Sequence, residues 1–410
     1  MSAIEPKPVE KIELNEKNVK LRFIIFIISI VALIVSAIFI VVGTVKKDSG
    51  WTEVLASPKT DINSDDDFYL YYRLGTSGNN VNAELKGLSD TYTTYLEKSY
   101  ILLNEYKEYD NYKNLAYINN HPNEEIEVDE FLYNSIKEIL KDNNRLLYSG
   151  LLVEYYDSLI LADSYDTALK LNPYKNEDKK LIVNELANYI NDSNLINLEL
   201  KDNYKIKLNV SDELLSFAED NEYSLFLSFS YLKNAFIIDY VSDALIKNNY
   251  IYGNLSSYDG YFKNLNNDNN LLYDFNIIDI NGKAPQVLGA YRTNKQVSIV
   301  SFRDFKYYVN DLTRYYEFED SKTINYYIDL KTGMPKASKT AIVGYDYNDS
   351  CVNIALKLSK IFINDEFIPN NDINLIYVEN NIIYHNEDGI EFINLLKYGD
   401  TEYKAELKRW

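Results

Sequence analysis

The sequence is poor in cysteine, histidine and glycine, and each shortage excludes a class of protein. A single cysteine, Cys351, allows no disulfide within the chain. The two histidines, His121 and His385, both lie in turn-like sequence, where we expect exposed side chains. These are too few ligands for a zinc centre built on histidine and cysteine. The 14 glycines form no Walker-type phosphate loop, and neither Gly-x-Ser-x-Gly nor His-Glu-x-x-His occurs.

Charge is missing from one long segment. Residues 23–45 contain no charged side chain, and 17 of these 23 residues are Ile, Leu, Val or Phe. Those 17 alone favour insertion into a bilayer by about 5–10 kcal/mol. A helix of this length spans about 35 Å, which is enough to cross a hydrocarbon core of about 30 Å. We therefore predict a transmembrane helix over residues 23–45.

The basic residues around this segment predict its direction. Residues 1–22 contain five bases, whereas only Lys46 and Lys47 follow the segment closely. Because positive charge favours the cytoplasmic side, we expect residues 1–22 to form a cytoplasmic tail of a single-pass protein in the cell membrane. The mostly polar residues 46–67 then predict a stalk, and residues 68–410 an extracytoplasmic domain.

The part of the chain beyond the segment is strongly acidic. The whole chain carries a formal charge of −20, and the tail, with five bases and four acids, carries +1, which leaves −21 for residues 46–410. Such a surface repels nucleic acid and anionic lipid headgroups. We expect no nucleic-acid partner, and we expect contact with membrane lipid through the N-terminal helix. An anionic ligand would need a metal ion or a local basic pocket.

The hydrophobic pattern changes character along the domain. Helical periodicity dominates residues 85–192 and returns near 232–247 and 349–362, whereas short alternating segments dominate most of the remainder. Helices first, then strands with helices between them, predict an α+β fold.

One segment combines an acid, a hydroxyl, a glycine and a proline. Residues 327–335 read Tyr-Ile-Asp-Leu-Lys-Thr-Gly-Met-Pro. Taken alone, this segment is typical of a β-turn between two strands. It also resembles the His-x-x-Asp-Pro-x-Thr-Gly-x-Pro signature of the ApbE-type FAD:protein FMN transferases.

Five further segments resemble motifs of that family in the same order, so that the resemblance covers roughly residues 68–365. The first three matches are Met-Gly-Thr at residues 74–76, Leu-x-x-Ile-Asn at residues 116–119 and Lys-Gly-Tyr-Ala-Val-Asp at residues 234–239. The other two are Ser-Gly-Asp-Tyr-Glu-Arg-Tyr at residues 310–317 and Asp-Ala-Leu-Ser-Thr-Ala-Leu at residues 349–356.

The resemblance implies an ApbE-like domain that binds FAD and a divalent metal, usually Mg²⁺. It implies transfer of FMN from FAD to a Thr or Ser hydroxyl of a target protein, here a membrane-associated flavoprotein acceptor. Asp349 and Asn353, one helical turn apart, would bind the metal. Asp239 would be the catalytic base that takes the proton of the acceptor hydroxyl. The implied FAD-binding residues are Arg314, Asp329, Thr332 and Gly333.

Two of these acids also have structural interpretations. Asp349 fits the cap of the helix that follows it, and Asp239 fits a solvated or hydrogen-bonded position at the edge of its own helix. Both interpretations stay open beside the functional ones.

Several motif positions differ from the family pattern. Tyr326 stands in place of the signature histidine, Leu330 in place of the proline after the acid, and Asn234 in place of a lysine. Two Gly-Gly pairs are replaced, by Ser-Tyr at residues 230–231 and by Ser-Ser at residues 256–257. A side chain at such a glycine obstructs the approach of a nucleotide, or costs about 1–3 kcal/mol where the backbone is strained.

The sequence is therefore compatible with two main functions. The first is an outward-facing flavin transferase, and the second is a catalytically inactive relative that binds a flavin or a protein at the membrane. A surface interaction protein without any link to flavin is a third interpretation.

Overall fold

The computed structural model describes residues 49–60, 68–78, 80–141, 144–266, 270–282, 284–308, 313–319, 322–398 and 401–409. The predicted tail, the predicted transmembrane helix and residues 310–312 of one motif lie outside these ranges. Within them, no helix is long and apolar enough to cross a bilayer.

Among the described residues, most helices lie before residue 248 and most strands lie after it. The helices are α1 (Val81–Leu102), α2 (Leu115–Asn120), α3 (Glu130–Ile139), α4 (Gly150–Ile160), α5 (Tyr165–Leu171), α6 (Glu177–Asn191), α7 (Asp212–Asp220), α8 (Lys233–Lys247) and α9 (Cys351–Phe362). The strands are β1 (Gly50–Val54), β2 (Phe68–Leu74), β3 (Glu125–Glu127), β4 (Ile196–Lys201), β5 (Lys205–Val210), β6 (Gly253–Ser257), β7 (Tyr261–Asn264), β8 (Tyr273–Asn281), β9 (Ala284–Thr293), β10 (Val297–Arg303), β11 (Tyr316–Glu317), β12 (Thr323–Ile324), β13 (Ile328–Asp329), β14 (Met334–Pro335), β15 (Ala341–Asp346), β16 (Asn374–Glu379), β17 (Ile382–His385), β18 (Glu391–Ile393), β19 (Lys397–Tyr398), β20 (Thr401–Glu402) and β21 (Lys404–Leu407).

A nine-stranded sheet organises the domain, with the strand order β1-β2-β6-β7-β10-β15-β16-β17-β21. Its neighbouring strands pair in antiparallel fashion up to β17, and the last pair, β17 and β21, is parallel. Smaller sheets are formed by β18-β9-β8 and by β3-β5-β4. This mixture of helices and mainly antiparallel sheet confirms the predicted α+β class.

The central sheet separates two hydrophobic cores. Because side chains alternate across a strand, neighbouring residues of β10 face opposite ways. Val300 and Phe302 join the larger core, which contains the buried faces of α8 and α9. Val297 and Ile299 join a smaller core, which packs against Ile277 of β8 and other residues of the three-stranded sheet. The domain therefore has helices on one face of the sheet and a second, smaller sheet on the other.

Part of the predicted stalk belongs to the folded domain. Residues 50–54 form β1, which pairs with β2 from Gly50 opposite Leu74 to Val54 opposite Leu70. Val54 is buried in the larger core. The predicted domain start at residue 68 is therefore too late, because a strand with one buried position was missed in a mostly polar segment.

The expectation of an exposed turn for His385 is also wrong. His385 is the last residue of β17 and is buried, with its Nδ1 2.9 Å from the carbonyl oxygen of Glu387. His121 does follow a helix, as the cap residue at the end of α2, and is half-buried.

A buried asparagine fastens the segment before α8. The Asn119 side chain of α2 donates to the Leu227 carbonyl at 3.0 Å and accepts the Leu227 N–H at 2.8 Å. The next residue, Ser228, donates its N–H to the Leu147 carbonyl at 2.8 Å. Asn119 thus satisfies two backbone groups of a buried loop, which would cost free energy if they were left unpaired.

Substituting Asn119 by alanine should lower the free energy of unfolding by about 2–4 kcal/mol, because each unpaired buried group costs about 1–3 kcal/mol. Urea unfolding of the purified protein measures the change. The neighbouring Asn120, whose exposed side chain bonds Glu108, is the control, and Asn120→Ala should cost less than about 1 kcal/mol. Equal losses in the two variants would contradict this role.

Candidate functional site

Helix α9 begins beside the residues predicted to bind metal. Ser350 is its N-cap, and the Ser350 hydroxyl accepts the Asn353 N–H at 3.1 Å. The predicted cap at Asp349 is therefore one residue too early. Asp349 and Asn353 do come together, because the Asn353 side-chain amide donates to Asp349 Oδ1 at 2.7 Å.

Both carboxylate oxygens of Asp349 have protein partners. Oδ1 also accepts the Ser350 N–H at 2.9 Å, and Oδ2 lies 2.7 Å from Nζ of Lys357. Partial burial by itself would raise the pKa of Asp349, but the hydrogen bonds from Lys357 and Asn353 hold that pKa below its ordinary value. An ammonium group thus already neutralises this carboxylate.

This donor set does not fit Mg²⁺, which needs several oxygen ligands and is usually held by one or two carboxylates. Asp349 is paired with Lys357, and Asn353 turns its amide N–H toward Asp349. Across the residues that the structure describes, no group of three or more Asp, Glu, His or Cys side chains could hold a metal ion. The metal-binding role of Asp349 and Asn353 stays a prediction, and the contacts favour an ion pair instead.

Asp239 points from α8 to the first turn of α9. Its oxygens accept the N–H groups of Cys351 and Val352, each at 3.0 Å, and Oδ1 lies 3.0 Å from Nζ of Lys263. Burial raises the pKa of Asp239 above its ordinary value, although Lys263 and the two N–H groups oppose that shift. Burial alone would lower the pKa of Lys263, but the Asp239 carboxylate raises it above its ordinary value. A protein carboxylate thus closes the anion-binding end of α9. The contacts favour a structural role for Asp239, and its role as a base stays a prediction.

Asp329 organises the turn between β13 and β14. Its carboxylate accepts the Lys331 N–H at 3.1 Å and the Thr332 hydroxyl at 2.9 Å, and Oδ2 lies 3.1 Å from Nζ of Lys336. Partial burial would raise the pKa of Asp329, but these donors hold it below its ordinary value. The predicted β-turn is confirmed, and Thr332 serves it through its hydroxyl.

Gly333 is required by the packing of this turn. Its φ is +70°, in the left-handed region, and a Cβ atom there would lie 2.3 Å from the Val183 carbonyl oxygen of α6. The Gly333 carbonyl accepts the Tyr156 hydroxyl of α4 at 2.7 Å. The glycine therefore lets the turn dock closely on two helices.

Three of the predicted site residues, Asp329, Asp349 and Asn353, border one cavity of about 640 Å³. We call it the lysine cavity, because four lysines and three carboxylates line it. The lysines are Lys141, Lys331, Lys357 and Lys360, and the acids are Glu138, Asp329 and Asp349. Lys331 and Lys360 are exposed, and within the described ranges neither has a carboxylate at ion-pair distance. In a chain of charge −20, such a cavity favours an anionic ligand.

Arg314 lies on a different cavity, of about 360 Å³, which also contains Tyr326 and Lys233. We call it the tyrosine cavity. The Arg314 guanidinium lies 3.3 Å from Asp259 Oδ2 and donates to the Tyr258 hydroxyl. Arg314 and Asp329 thus border different cavities, and Thr332 and Gly333 line neither of them. The FAD-binding roles of all four residues stay predictions.

The tyrosine cavity contains two acids that sequence reasoning missed, Glu105, which is buried, and Asp157, which is half-buried. Tyr106 and Tyr326, which stands at the signature histidine position, both donate to Asp157. Burial raises the pKa of Glu105 to about 7, and its Oε2 atom has no hydrogen-bond partner among the described residues. No spacing in the sequence brings Glu105 near Asp157, so no signal could have found this pair.

Ser230 keeps the conformation that a glycine would favour. Its φ is +49°, and its N–H donates to the Ser228 hydroxyl at 2.9 Å. A left-handed conformation costs a residue with a side chain roughly 1–2 kcal/mol. The replacement of the first Gly-Gly pair predicted backbone strain of this kind. Residues 256–257 lie in the regular strand β6, with no such strain.

No known family model matches the sequence, and no curated protein sequence matches it. Solved structures do match the domain in shape. The domain superposes on the ApbE protein of Thermotoga maritima with a TM-score of 0.55, over 85% of this chain and 97% of that one, at 12% identity. This chain has an ApbE-like fold.

Two further structures with this fold are similar over nearly the same share of the chain. The flavin transferase ApbE of Vibrio cholerae gives a TM-score of 0.50 at 12% identity, over 84% of this chain and 97% of that one. The flavinyl transferase ApbE of Pseudomonas stutzeri, in its apo form, gives 0.50 at 11% identity, over 84% and 93%. At this identity the likeness concerns the ApbE-like fold, and residue roles rest on the contacts described above.

Substituting Gly333 by alanine should lower the free energy of unfolding by about 2–4 kcal/mol, because strain at positive φ adds to overpacking against α6. Urea unfolding measures the loss. Gly389, with a φ of +79° and no atom within 4 Å of an added Cβ, is the matched control. Gly389→Ala should lose only about 1 kcal/mol. If Gly333→Ala lowers the free energy of unfolding no more than Gly389→Ala does, the turn tolerates a side chain at this position.

Substituting Glu105 by glutamine should remove one source of pH dependence. Because the folded pKa of about 7 lies above the ordinary value of 4.5, the folded state keeps a proton that the unfolded state loses. Stability therefore falls from about pH 4.5 to 7 and is flat above that. At pH 8 the glutamine variant should be more stable by up to roughly 3 kcal/mol, and in strongly acidic buffer equally stable.

Urea unfolding from pH 4 to pH 8, a range of about four units around this transition, tests the Glu105 prediction. Glu124→Gln, at an exposed position, is the control and should leave the profile unchanged. Parallel pH profiles for Glu105→Gln and the unaltered protein would refute a protonated Glu105 near neutral pH.

Proposed function

We propose that this chain is a membrane-anchored protein whose ApbE-like domain lies on the outer side and binds a flavin nucleotide without a divalent metal. The observation that carries the proposal is the ion pair of Asp349 with Lys357 in the wall of the lysine cavity. An anionic diphosphate needs positive charge, and a metal ion or ammonium groups can supply it. Here ammonium groups are available, and the part of the chain that the structure describes assembles no metal site of three or more acidic, His or Cys side chains.

The geometry of the lysine cavity supports an extended anionic ligand. Lys331 lies on the hairpin turn, whereas Lys357 and Lys360 lie on α9, so cations reach the cavity from two elements. A cavity of about 640 Å³ falls in the range of small-molecule sites. The diphosphate of FAD would contact these lysines, since the N-terminus of α9 is already bonded to Asp239.

The membrane anchor rests on the sequence. The uncharged residues 23–45 and the bases before them support a single span with the domain outside. A membrane-associated flavoprotein would be within reach of such a domain as a partner.

Flavin transfer is the second candidate, and one observation favours it. Asp329, Asp349 and Asn353 converge on one cavity, as the resemblance to the FMN transferases implies. Incubation of the full chain with FAD, MgCl₂ and a Thr-bearing acceptor domain separates the two functions. A covalent gain of FMN on the acceptor, seen by mass spectrometry, would establish transfer and overturn the proposal of binding alone.

FAD affinity should be the same in MgCl₂ and in EDTA, as isothermal titration of the full chain in detergent can measure. Lys357→Ala should weaken FAD binding about tenfold, because a charge-assisted hydrogen bond contributes roughly 1.5–3 kcal/mol. The variant also leaves Asp349 without its cation. Mg²⁺ should therefore strengthen FAD binding to Lys357→Ala while leaving the unaltered protein unaffected.

Lys180→Ala is the matched control, since Lys180 lies on α6 outside the lysine cavity and pairs only loosely with Glu177 at 3.7 Å. It should bind FAD like the unaltered protein. Loss of FAD binding in EDTA would contradict the metal-independent site. Absence of FAD binding under both conditions would favour a surface interaction protein without a flavin.

A further inference from the structure

The outer edge of the central sheet exposes large apolar side chains. β1 is the terminal strand and pairs only with β2 among the described strands. Trp51 on β1 is 49% exposed, Leu55 just after β1 is 58% exposed, and Leu272 is 54% exposed. Leu272 precedes Tyr273, whose ring meets the Trp51 ring edge-on at 5.7 Å between centroids. We call these three residues the β1 patch.

The polar neighbours of Trp51 suit a lipid headgroup region. Arg73, directly opposite Trp51 in the β1–β2 pairing, is exposed on the same face. Glu53, the acid of β1, interacts with the hydroxyl of Tyr71 across the pair. Tryptophan and tyrosine with an arginine nearby are typical of the boundary between membrane and water.

The length of chain before β1 limits where this edge can lie. The predicted span ends at residue 45 and β1 begins at Gly50, which leaves residues 46–49 between them. Five residue steps reach at most about 17 Å. The headgroup layer alone takes up about 5–8 Å of that distance. Gly50 is therefore held within about 10 Å of the headgroups, and Trp51 is its neighbour.

The opposite edge of the sheet is far from this point. Eight strand steps of about 4.8 Å separate β1 from β21, a distance of roughly 38 Å along the sheet. The sequence contains two tryptophans: Trp51 lies on β1, and Trp410 comes three residues after Leu407, the last residue of β21.

We propose that the β1 patch rests on the bilayer surface, with Trp51 at the level of the lipid headgroups. The sheet then stands away from the membrane, with β1 nearest and β21 farthest. The lipid would also cover the outer edge of β1, which no other described strand pairs and which otherwise offers N–H and C=O groups to a second chain. This orientation rests on the membrane anchor of the proposed function.

Quenching of tryptophan fluorescence by brominated lipid tests the orientation. The full chain is reconstituted in phosphatidylcholine vesicles whose acyl chains carry bromine close to the headgroup. Trp410→Phe leaves Trp51 as the sole tryptophan, and Trp51→Phe leaves Trp410. Bromine should remove roughly half or more of the Trp51 emission, since an interfacial indole lies next to it, and little of the Trp410 emission.

Flotation of the same vesicles distinguishes the two possible failures. Protein that stays in the soluble fraction would overturn the membrane anchor and with it the proposed localisation. Protein that floats while Trp51 and Trp410 are quenched equally weakly would overturn the resting orientation and leave the anchor intact. Strong quenching of Trp410 with weak quenching of Trp51 would show that the opposite edge faces the lipid.

Discussion

The ion pair between Asp349 and Lys357 sets the charge that a ligand meets at the start of α9. At 2.7 Å, with side chains 22% and 40% exposed, it contributes less than about 1 kcal/mol to stability, as partly exposed pairs do. Its importance lies in its position, because it neutralises the carboxylate at the start of α9. A ligand that enters the lysine cavity meets ammonium groups and an acid that is already compensated.

The other acids around α9 have structural duties. Asp239 closes the helix N-terminus together with Lys263, and Asp329 folds the hairpin turn with help from Lys336. Each uses its oxygens on backbone N–H groups and a lysine. An acid committed in this way is costly to free, because the amides it bonds would lose their partner. The chain therefore keeps the ApbE-like fold, while the carboxylates of these acids are paired with lysines and N–H groups of the protein itself.

Much of the fold was predictable from the sequence, because local residue patterns determine these helices and turns. The apolar stripes of α8 and α9 and the turn at Asp329 came from periodicity and turn chemistry. The position of Lys357 beside Asp349 was also predictable, since Lys357 follows Asn353 by one helical turn and Asp349 by two. The family motif covers residues 349–356 and ends one residue before this lysine.

Other features depend on contacts distant in sequence and had no local signal. Glu105 and Asp157 meet only because α4 packs beside the segment after α1, and Arg314 reaches a cavity separate from that of Asp329. β1 was missed because a terminal strand with one buried residue has too short a pattern to distinguish it from a polar linker.

A crystal structure of the protein grown in MnCl₂, with anomalous scattering recorded for manganese, would show whether Asp349 binds a metal ion or Lys357. Mn²⁺ takes the same oxygen ligands as Mg²⁺ and is visible by its scattering. We expect no manganese peak at Asp349 and an ammonium group still in contact with Oδ2. A manganese peak bound by Asp349 and Asn353, with Lys357 turned away, would contradict it.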